Sequence, residues 1–497
     1  MLKNKISKNA ILFCKDHIDL DKKTIKKFTP GYELMKNAGR SIFNSIKKES
    51  YRRNIKILCG PGNNGGDAYV LASLLVKSDF NVDVYSSVPI NLLKGDAKIA
   101  AKEWKGPISN IDSFIPKKND LIIDGLFGSG LRKKISGKIK KVIQIINSKN
   151  LECISIDMPS GINGDNGQIE GIAIKAKKTI TFTRKKPGHL LYPGSEYCGL
   201  IEVKDIGINL DKLSFKASIF QNNPDNWISS FPWPNPKSHK YTRGFALIIC
   251  GEKITGASRL AARGAARIGC GLICLGVPKE SFSIYSTENP ICLVEVVETK
   301  KDIERILNDK RINIILIGPG LGISKKKLSY IQQVVKTKKK ISILDADALK
   351  NNFKSILKNR KNPIVITPHQ GEFFKVLKDL KIKKIKNDNL ATARQFVKKT
   401  KVNLILKGNK TIICSSDGRI SIDNNSSPFL ATGGSGDVLA GVVTGLIGQG
   451  MDIFEACSAA VWIHGETSNI IGPGLIAEDI PEVLPKVLKK LKNYRHN

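Results

Sequence analysis

No two of the ten cysteines stand in CxxC spacing, and ten in 497 residues are too dilute for a disulfide scaffold. Cys270 and Cys274, four apart in an apolar stretch, read as buried free thiols rather than as metal ligands. That usage suits a reducing cytosol. Long apolar runs are missing too. Ala10–Cys14 is too short for a signal h-region and no small-residue cleavage site follows, so secretion is not expected. Val438–Ile447, the most apolar stretch, runs into Gln449, Asp452 and Glu455 and falls short of the roughly 20 residues a spanning helix needs. Neither zinc-finger spacing, an RNP-like aromatic motif nor a short-period repeat is present. Acidic residues are scarce, 44 against 81 basic ones, for a formal charge of +37. Such an excess can mark a polyanion partner. The lysines, however, are spread along the whole chain in runs such as Lys325–Lys327 and Lys338–Lys340, which reads as solvated surface. The expectation is a cytoplasmic globular protein with neither a membrane nor a nucleic acid as partner. A homo-oligomer is expected.

What the chain has is two successive α/β patterns. With 41% hydrophobic and 25% charged residues it can bury sizeable cores, and its length allows two or three domains. In the first half, short β-branched runs end in glycine-rich turns and enter helix-like segments: Ile55–Cys59 before GPGNNGGD (60–67), Leu121–Ile123 before DGLFGSGL (124–131), and Cys153–Ile156 before DMPSG (157–161). Strand, loop and helix in alternation predict a parallel sheet with ligands beyond the carboxyl ends of its strands. Residues 1–50, including GYELMKNAG, read as mostly helical. Residues 222–243, with four prolines and no sustained periodicity, read as a linker. The α/β pattern then restarts: strands over Phe245–Cys250, Gly271–Val277, Ile312–Ile317, Ile341–Leu344, Ile364–Thr367 and Asn403–Leu406, and a small-residue helix over Ser258–Ile268.

The chemistry concentrates in the loops. Gly60–Asp67 lies between a strand and a helix, where glycines let the backbone approach a pyrophosphate and the helix start adds a positive dipole end. It lacks the Lys-Ser/Thr of a P-loop, and a tight turn alone would also use glycines, but two asparagines and an aspartate at the tip favour a ligand. Asn64, Asp124 and Ser160 each follow a different strand and all offer oxygen, which suits a hard cation, and one carboxylate among neutral ligands favours a monovalent ion over a divalent one, although spacing alone does not establish a cation site. Asp157 ends its strand, placed either to act as a general acid or base or to pin its loop. In the second half, Gly433–Asp437 (GGSGD) opens an apolar helix; its backbone N–H groups can hold a transferring phosphoryl group and Asp437 can accept the proton of an attacking hydroxyl. Lys407–Thr411 (KGNKT) resembles a nucleotide-phosphate contact. His369 follows a buried strand and is the best functional histidine; His464 reads as a core histidine, and His189 and His239 receive no role.

Taken in order, GPGNNGGD, DGLFGSGL, IDMPSG and KPGHLLYPG resemble the epimerase domain of the bifunctional NAD(P)H-hydrate repair family. GPGLG, LDADAL, TPHQGE, KGNKT and GGSGDVLAG resemble its ADP/ATP-dependent dehydratase domain. The resemblance implies a Rossmann-like three-layer α/β/α epimerase domain with a parallel sheet over 1–221, a linker over 222–243 and a ribokinase-like α/β dehydratase domain over 244–497. It implies that Asn63, Asn64, Gly65, Gly66 and Asp67, with Gly128, Ser129, Gly130, Leu131, Arg132, Lys133 and Lys134, hold the hydrated dinucleotide, with Asp157 at the reacting ring. Asn64, Asp124 and Ser160 would bind K+. In the second domain Ala257, Gly320, Gly322, His369 and Asp437 would face the hydrate, and Lys407, Gly408, Asn409, Lys410, Thr411 and Gly436 the nucleotide. Mg2+ would accompany ADP or ATP. The implied activities are interconversion of R and S NAD(P)H hydrate at Asp157 and nucleotide-driven dehydration of the S form at Asp437. Two positions depart from the family pattern: Ala68 where Gly is usual after NNGGD, and Lys36 where an acid is usual. The alternative is a ribokinase-type small-molecule kinase fused to a non-catalytic Rossmann-like binding module.

Overall fold

The computed structural model describes residues 7–48, 50, 53–288 and 290–494. The chain divides into two compact units, Met1–Ile219 and Phe220–Asn497. In order, the first carries α1 (Cys14–Lys27), α2 (Gly31–Ile46), β1 (Ile55–Cys59), α3 (Asn63–Val76), β2 (Val82–Ser86), α4 (Gly95–Glu103), β3 (Ile108–Asn110), β4 (Leu121–Gly125), α5 (Gly137–Ser148), β5 (Cys153–Ile156), β6 (Lys178–Phe182) and β7 (Leu200–Lys204). The two helices α1 and α2 match the expected helical opening; positions 1–6 and 49 of that stretch lie outside the described residues.

The seven strands form one parallel sheet in the order β3-β2-β1-β4-β5-β6-β7. Strand alternation divides its side chains into two layers. Ile55, Ile57, Leu121 and Ile123 pack with Ile42 of α2 and Leu71 of α3, whereas Leu58, Ile122 and Cys153 pack with Val142, Ile143 and Ile146 of α5. Each such side chain taken out of water contributes roughly 1.5–3 kcal/mol before chain entropy is counted. The strand order reverses between β1 and β4, so the loops after β1, β4 and β5 open at a topological switch point.

The second unit continues with β8 (Ile219–Gln221), β9 (Phe245–Ile249), α6 (Thr255–Arg267), β10 (Leu272–Val277), α7 (Phe282–Glu288), β11 (Leu293–Val296), α8 (Lys300–Leu307), β12 (Ile314–Ile317), α9 (Lys325–Lys336), β13 (Ile341–Leu344), α10 (Phe353–Lys358), β14 (Ile364–Ile366), α11 (Gln370–Asp379), α12 (Asn389–Thr400), β15 (Asn403–Leu406), β16 (Ile412–Cys414), β17 (Ile420–Ile422), α13 (Ser435–Gly448), α14 (Ile453–Ile471) and α15 (Asp479–Tyr494). Its sheet runs β11-β10-β9-β12-β13-β14-β15-β16-β17-β8. Pairing is parallel through β15 and antiparallel from β15 to β17.

Residues 222–243, read from sequence as a linker, begin as part of this unit's core. Trp227 and Phe231 are buried in the same cluster as α13 and α14, because two aromatics in a proline-rich stretch hide more apolar surface when packed than when left in solvent. Asn222 anchors the start, its Nδ2 donating to Asp423 Oδ1 (2.9 Å) and to the Ser458 carbonyl (2.8 Å).

Helix α13 is apolar on every side because it is buried on every side. It crosses α6 at close range: a Cβ on Gly441 would stand 2.0 Å from the Ala261 carbonyl oxygen. This is the apolar stretch too short to span a membrane, and among the described residues no helix is long and apolar enough to do so.

Candidate active sites

In the first unit, the loops after β1, β4 and β5 and one face of α1 surround a cavity of about 870 Å³. Asn63, Asn64 and Asp67 from the first turns of α3 line it, as does the whole run Gly128–Lys134, with Asp157 among them. Gly65 and Gly66 do not. A Cβ on Gly65 would strike the Gly60 carbonyl at 2.0 Å, and one on Gly66 would strike Met35 Cε at 2.5 Å, so both glycines serve the packing of the loop and of α2 behind the cavity. Gly60, Gly62 and Gly65 stand in G-x-G-x-x-G spacing. Of the two departures, Ala68 is fully buried and faces Gly125, whose missing Cβ makes room for its methyl group. Lys36 pairs with Glu33 one turn back and lies over the Tyr32 ring.

Asp157 sits in the left-handed region (φ 62°) and lines the cavity. Its Oδ2 accepts from Ser129 N–H (2.8 Å) and its Oδ1 accepts from Thr181 Oγ1 (3.1 Å) and from the Lys186 ammonium. Burial alone would raise its pKa. The Lys186 charge, its hydrogen bond and Ser129 N–H outweigh that and hold the carboxyl well below the usual carboxylate range. His189 lies beneath: its Nδ1 accepts from Lys186 N–H (2.9 Å), so its Nε2 carries the proton and donates to the Asp157 carbonyl (2.8 Å). Burial, then Lys186, lowers His189 to about 3.

Three titratable groups of the cavity escape sequence reasoning. His17 and Asp21 come from α1, and Lys186 is 29 residues beyond Asp157. Lys186 and His189 both fall inside KPGHLLYPG, the one signal that could have found them. Burial, and next the Lys186 charge, hold His17 well below its ordinary range, so its ring is neutral. Burial lifts Asp21 to about 6. Asp67 is pushed well up by burial and by the charges of Asp157 and Asp21.

At the turn Phe127–Gly128, three oxygen donors meet. Ser160 Oγ accepts from Phe127 N–H (2.9 Å) and donates to Asp124, which is fully buried and also accepts from Ser155 Oγ and Ser160 N–H (both 2.8 Å). Asn64 Oδ1 lies 3.4 Å from where a Gly128 Cβ would stand, and neither polar atom of its buried side chain has a partner among the described residues. A buried carboxylate with neutral oxygens and an orphaned amide is a donor set that fits a hard monovalent cation.

In the second unit the strand ends β13, β14 and β15 meet the start of α13. Gly434, the residue before that helix, is left-handed (φ 89°), and Ser435 Oγ donates to the Leu430 carbonyl (2.8 Å). His464 Nε2 bonds the Ser435 carbonyl (2.9 Å), and burial lowers this ring to about 4; it is a core histidine that fixes the entry to α13. Lys407 donates to Asp345 Oδ1 (3.2 Å), which also accepts from Thr367 Oγ1 (2.7 Å), and its ammonium is 3.0 Å from where a Gly436 Cβ would stand. Next in the helix, Asp437 is pushed up to about 7 by burial, then by Asp345, against Lys407 and with Asp347 and Glu372. Gly322 N–H donates to Asp347 Oδ2 (2.9 Å), and Gly320 packs on the Ile254 carbonyl just before Ala257, which brings the GPGLG loop and the first turn of α6 to the same group. His369 caps α11, its Nδ1 accepting from Gly371 N–H (3.0 Å), and its side chain is 61% exposed. Gly408 and Asn409 are exposed in the β15–β16 turn, whereas Thr411 is buried and its carbonyl accepts from Asp423 N–H (2.9 Å). Sequence reasoning missed Asp345 and Asp347 as site residues, although LDADAL contains both.

Two family profiles match. One, described as NAD(P)H-hydrate dehydratase, covers residues 246–488; the other, described as YjeF-related protein N-terminus, covers residues 31–188. A bifunctional NAD(P)H-hydrate repair enzyme of Coxiella burnetii is 31% identical over 93% of this chain and 96% of its own length. The enzyme of the same description from Dictyoglomus turgidum is 31% identical over 94% and 96%. A solved structure of an ADP/ATP-dependent NAD(P)H-hydrate dehydratase from Bacillus subtilis, co-crystallised with ATP/Mg2+, is 26% identical over 55% of this chain and 98% of its own, with a TM-score of 0.48.

Proposed function

The chain belongs to the family of bifunctional NAD(P)H-hydrate repair enzymes, and we propose that it restores hydrated nicotinamide cofactors with one activity in each unit. The first unit interconverts the R and S hydrates; the second dehydrates the S hydrate and consumes ADP or ATP. The observation that carries this reading is geometric: Asp157, paired with Lys186, lines the cavity at the strand ends of the first sheet, and Asp437 stands in the first turn of α13 next to Gly436 and the Lys407 ammonium in the second.

In the first unit, Asn63, Asn64 and Asp67 and the run Gly128–Lys134 hold the dinucleotide, with Arg132, Lys133 and Lys134 supplying positive charge for its phosphates. Asp157, kept negative by Lys186, faces the nicotinamide ring and stabilises positive charge that develops when the C6–O bond breaks. Asn64, Asp124 and Ser160 would hold K+, which when bound supplies a fixed positive charge at the Phe127–Gly128 turn. In the second unit, the amides of Gly433–Gly436 and the Lys407 ammonium neutralise the transferring phosphoryl group, and Asp437 takes the proton of the C6 hydroxyl as it attacks. The resulting phosphate ester leaves with the help of the ring nitrogen, and loss of the C5 proton restores the reduced ring. Mg2+ accompanies the nucleotide and offsets the charge of its polyphosphate. Ten free cysteines support a reducing, cytoplasmic setting.

The test is an equilibrated R and S NADH-hydrate mixture with K+, Mg2+ and excess ADP or ATP, followed by recovery of reduced-cofactor absorbance. Complete recovery faster than spontaneous epimerisation is expected, with release of free phosphate. A stable phosphorylated product with no recovery would replace this reading with a small-molecule kinase.

A further inference from the structure

Resting on the reading of the first unit as the epimerase, we propose that Asp21 of α1 is the proton donor and acceptor for epimerisation, that His17 one turn earlier positions the water it exchanges, and that Asp157 serves as a fixed counter-charge. Three observations lead there. First, both oxygens of Asp157 are already engaged, accepting from Ser129, Thr181 and Lys186, and protonation would leave the Lys186 ammonium buried against a neutral acid. Hydroxide is a poor leaving group, so a second group must supply a proton. Second, His17 and Asp21 are four residues apart on α1, hence on one face of it, and both line the cavity with Asp157 and Lys186. Third, the His17 ring has a hydrogen bond with the Arg184 backbone, and its Nε2 is buried and without a partner among the described residues. A buried lone pair of this kind costs about 1–3 kcal/mol unless something donates to it. A hydroxyl or a water in the cavity is the donor that fits.

The steps balance without an oxidant or reductant. Asp21 passes its proton to the C6 hydroxyl, the C6–O bond breaks with its electron pair leaving on water, and the N1 lone pair closes the C6=N1 bond. The carboxylate of Asp157 faces that cation. Water held by His17 Nε2 then adds to the opposite face of C6, the C6=N1 pair returns to N1, and the surplus proton returns by way of His17 to Asp21. Burial raises Asp21, Lys186 lowers it and Asp157 raises it, for a value of about 6; Cys14, Asp67, Asp96, Arg132, Lys133 and Lys134 are the other titratable groups that line the cavity. The acid form starts the cycle, so the rate falls as pH rises through about 6.

The experiment uses the full chain with K+ and without nucleotide, so that dehydration is silent, and follows R-to-S interconversion of NADH hydrate by chromatography across pH, with the spontaneous rate subtracted. Asp21→Asn is expected to lower kcat by about 10²-fold or more, with KM little changed, and to remove the fall in rate above about pH 6. Asp21→Glu should recover part of the rate, which separates lost chemistry from lost folding. His17→Gln should lower kcat less than Asp21→Asn does. Asp19→Asn, exposed on the same helix, should match the wild type. Wild-type acceleration with an unchanged rate and pH profile in Asp21→Asn would overturn the proposal alone. No acceleration by the wild type would overturn the epimerase reading and the proposal with it.

Discussion

At Asp437 opposing influences set the pH at which the second unit can work. Burial and the carboxylates Asp345, Asp347 and Glu372 raise its pKa to about 7, and Lys407 pulls it back. A proton acceptor must be ionised, so kcat/KM for dehydration should rise with pH through about 7 and level off above it. Lys407→Met removes the downward influence and should move that midpoint higher while cutting the rate. Asp437→Ala should abolish dehydration and spare R-to-S interconversion; unchanged dehydration in that variant would remove it from the chemistry. Asp157 shows the opposite sign. Its folded pKa lies below the unfolded value of about 3.9, so it stabilises the fold above that pH and the contribution fades as pH drops toward the folded value. Asp157→Asn leaves Lys186, whose side chain is 3% exposed, without its counter-charge. Urea unfolding at neutral pH should report a loss of about 3–5 kcal/mol. Asp157 and Asp437 were legible because each follows a strand or a glycine run in sequence. Lys186, His17, Asp21 and Asp345 were not, since a lone Lys, His or Asp gains its meaning from a partner that the fold, not the local sequence, brings near.

At the scale of elements, strands buried on both faces announced themselves as short Ile- and Leu-rich runs with no more than one polar residue, and Ile55–Cys59, Cys153–Ile156, Ile341–Leu344 and Asn403–Leu406 have the bounds their sequences predict. The strands β6 and β7 escaped notice. Lys178, Thr179 and Thr181 in one and Glu202 and Lys204 in the other break the apolar run, and the fold accommodates them through pairs such as Lys178 with Glu202 (3.1 Å). Helix α13 was legible as a helix, but its closeness to α6 was not, because a glycine in sequence does not say what approaches it. That closeness yields a prediction with competing signs. Gly441→Ala should gain about 1 kcal/mol in helix propensity, yet its new methyl carbon would stand 2.0 Å from a backbone oxygen that cannot step aside. Overpacking of this kind costs about 1–3 kcal/mol or more, so the net effect is destabilising. Thermal unfolding should show a lower Tm. Dehydration should suffer more than epimerisation, since the same helix carries Asp437.

For the whole molecule, the two reactions are assigned to different units and share only a diffusible intermediate, the S hydrate. Each unit has its own sheet and core, and within each the proposed chemistry draws on residues of that unit alone. Loss of one carboxyl group should therefore leave the other reaction intact, and the two defects should complement each other in trans. With nucleotide present, Asp157→Ala alone should recover the S fraction of an NADH-hydrate mixture and then slow to the spontaneous epimerisation rate. Asp437→Ala alone should recover nothing, however quickly it interconverts R and S. Mixed in equal amounts, the two variants should recover the whole mixture, because S hydrate made by one chain can be consumed by the other. The rate should climb with the concentration of either variant until the slower reaction limits it. Absorbance recovery read across a dilution series decides the matter: a mixture that stalls where Asp157→Ala alone stalls would mean that the intermediate must pass within a single chain, and the two units would then have to be treated as one catalyst.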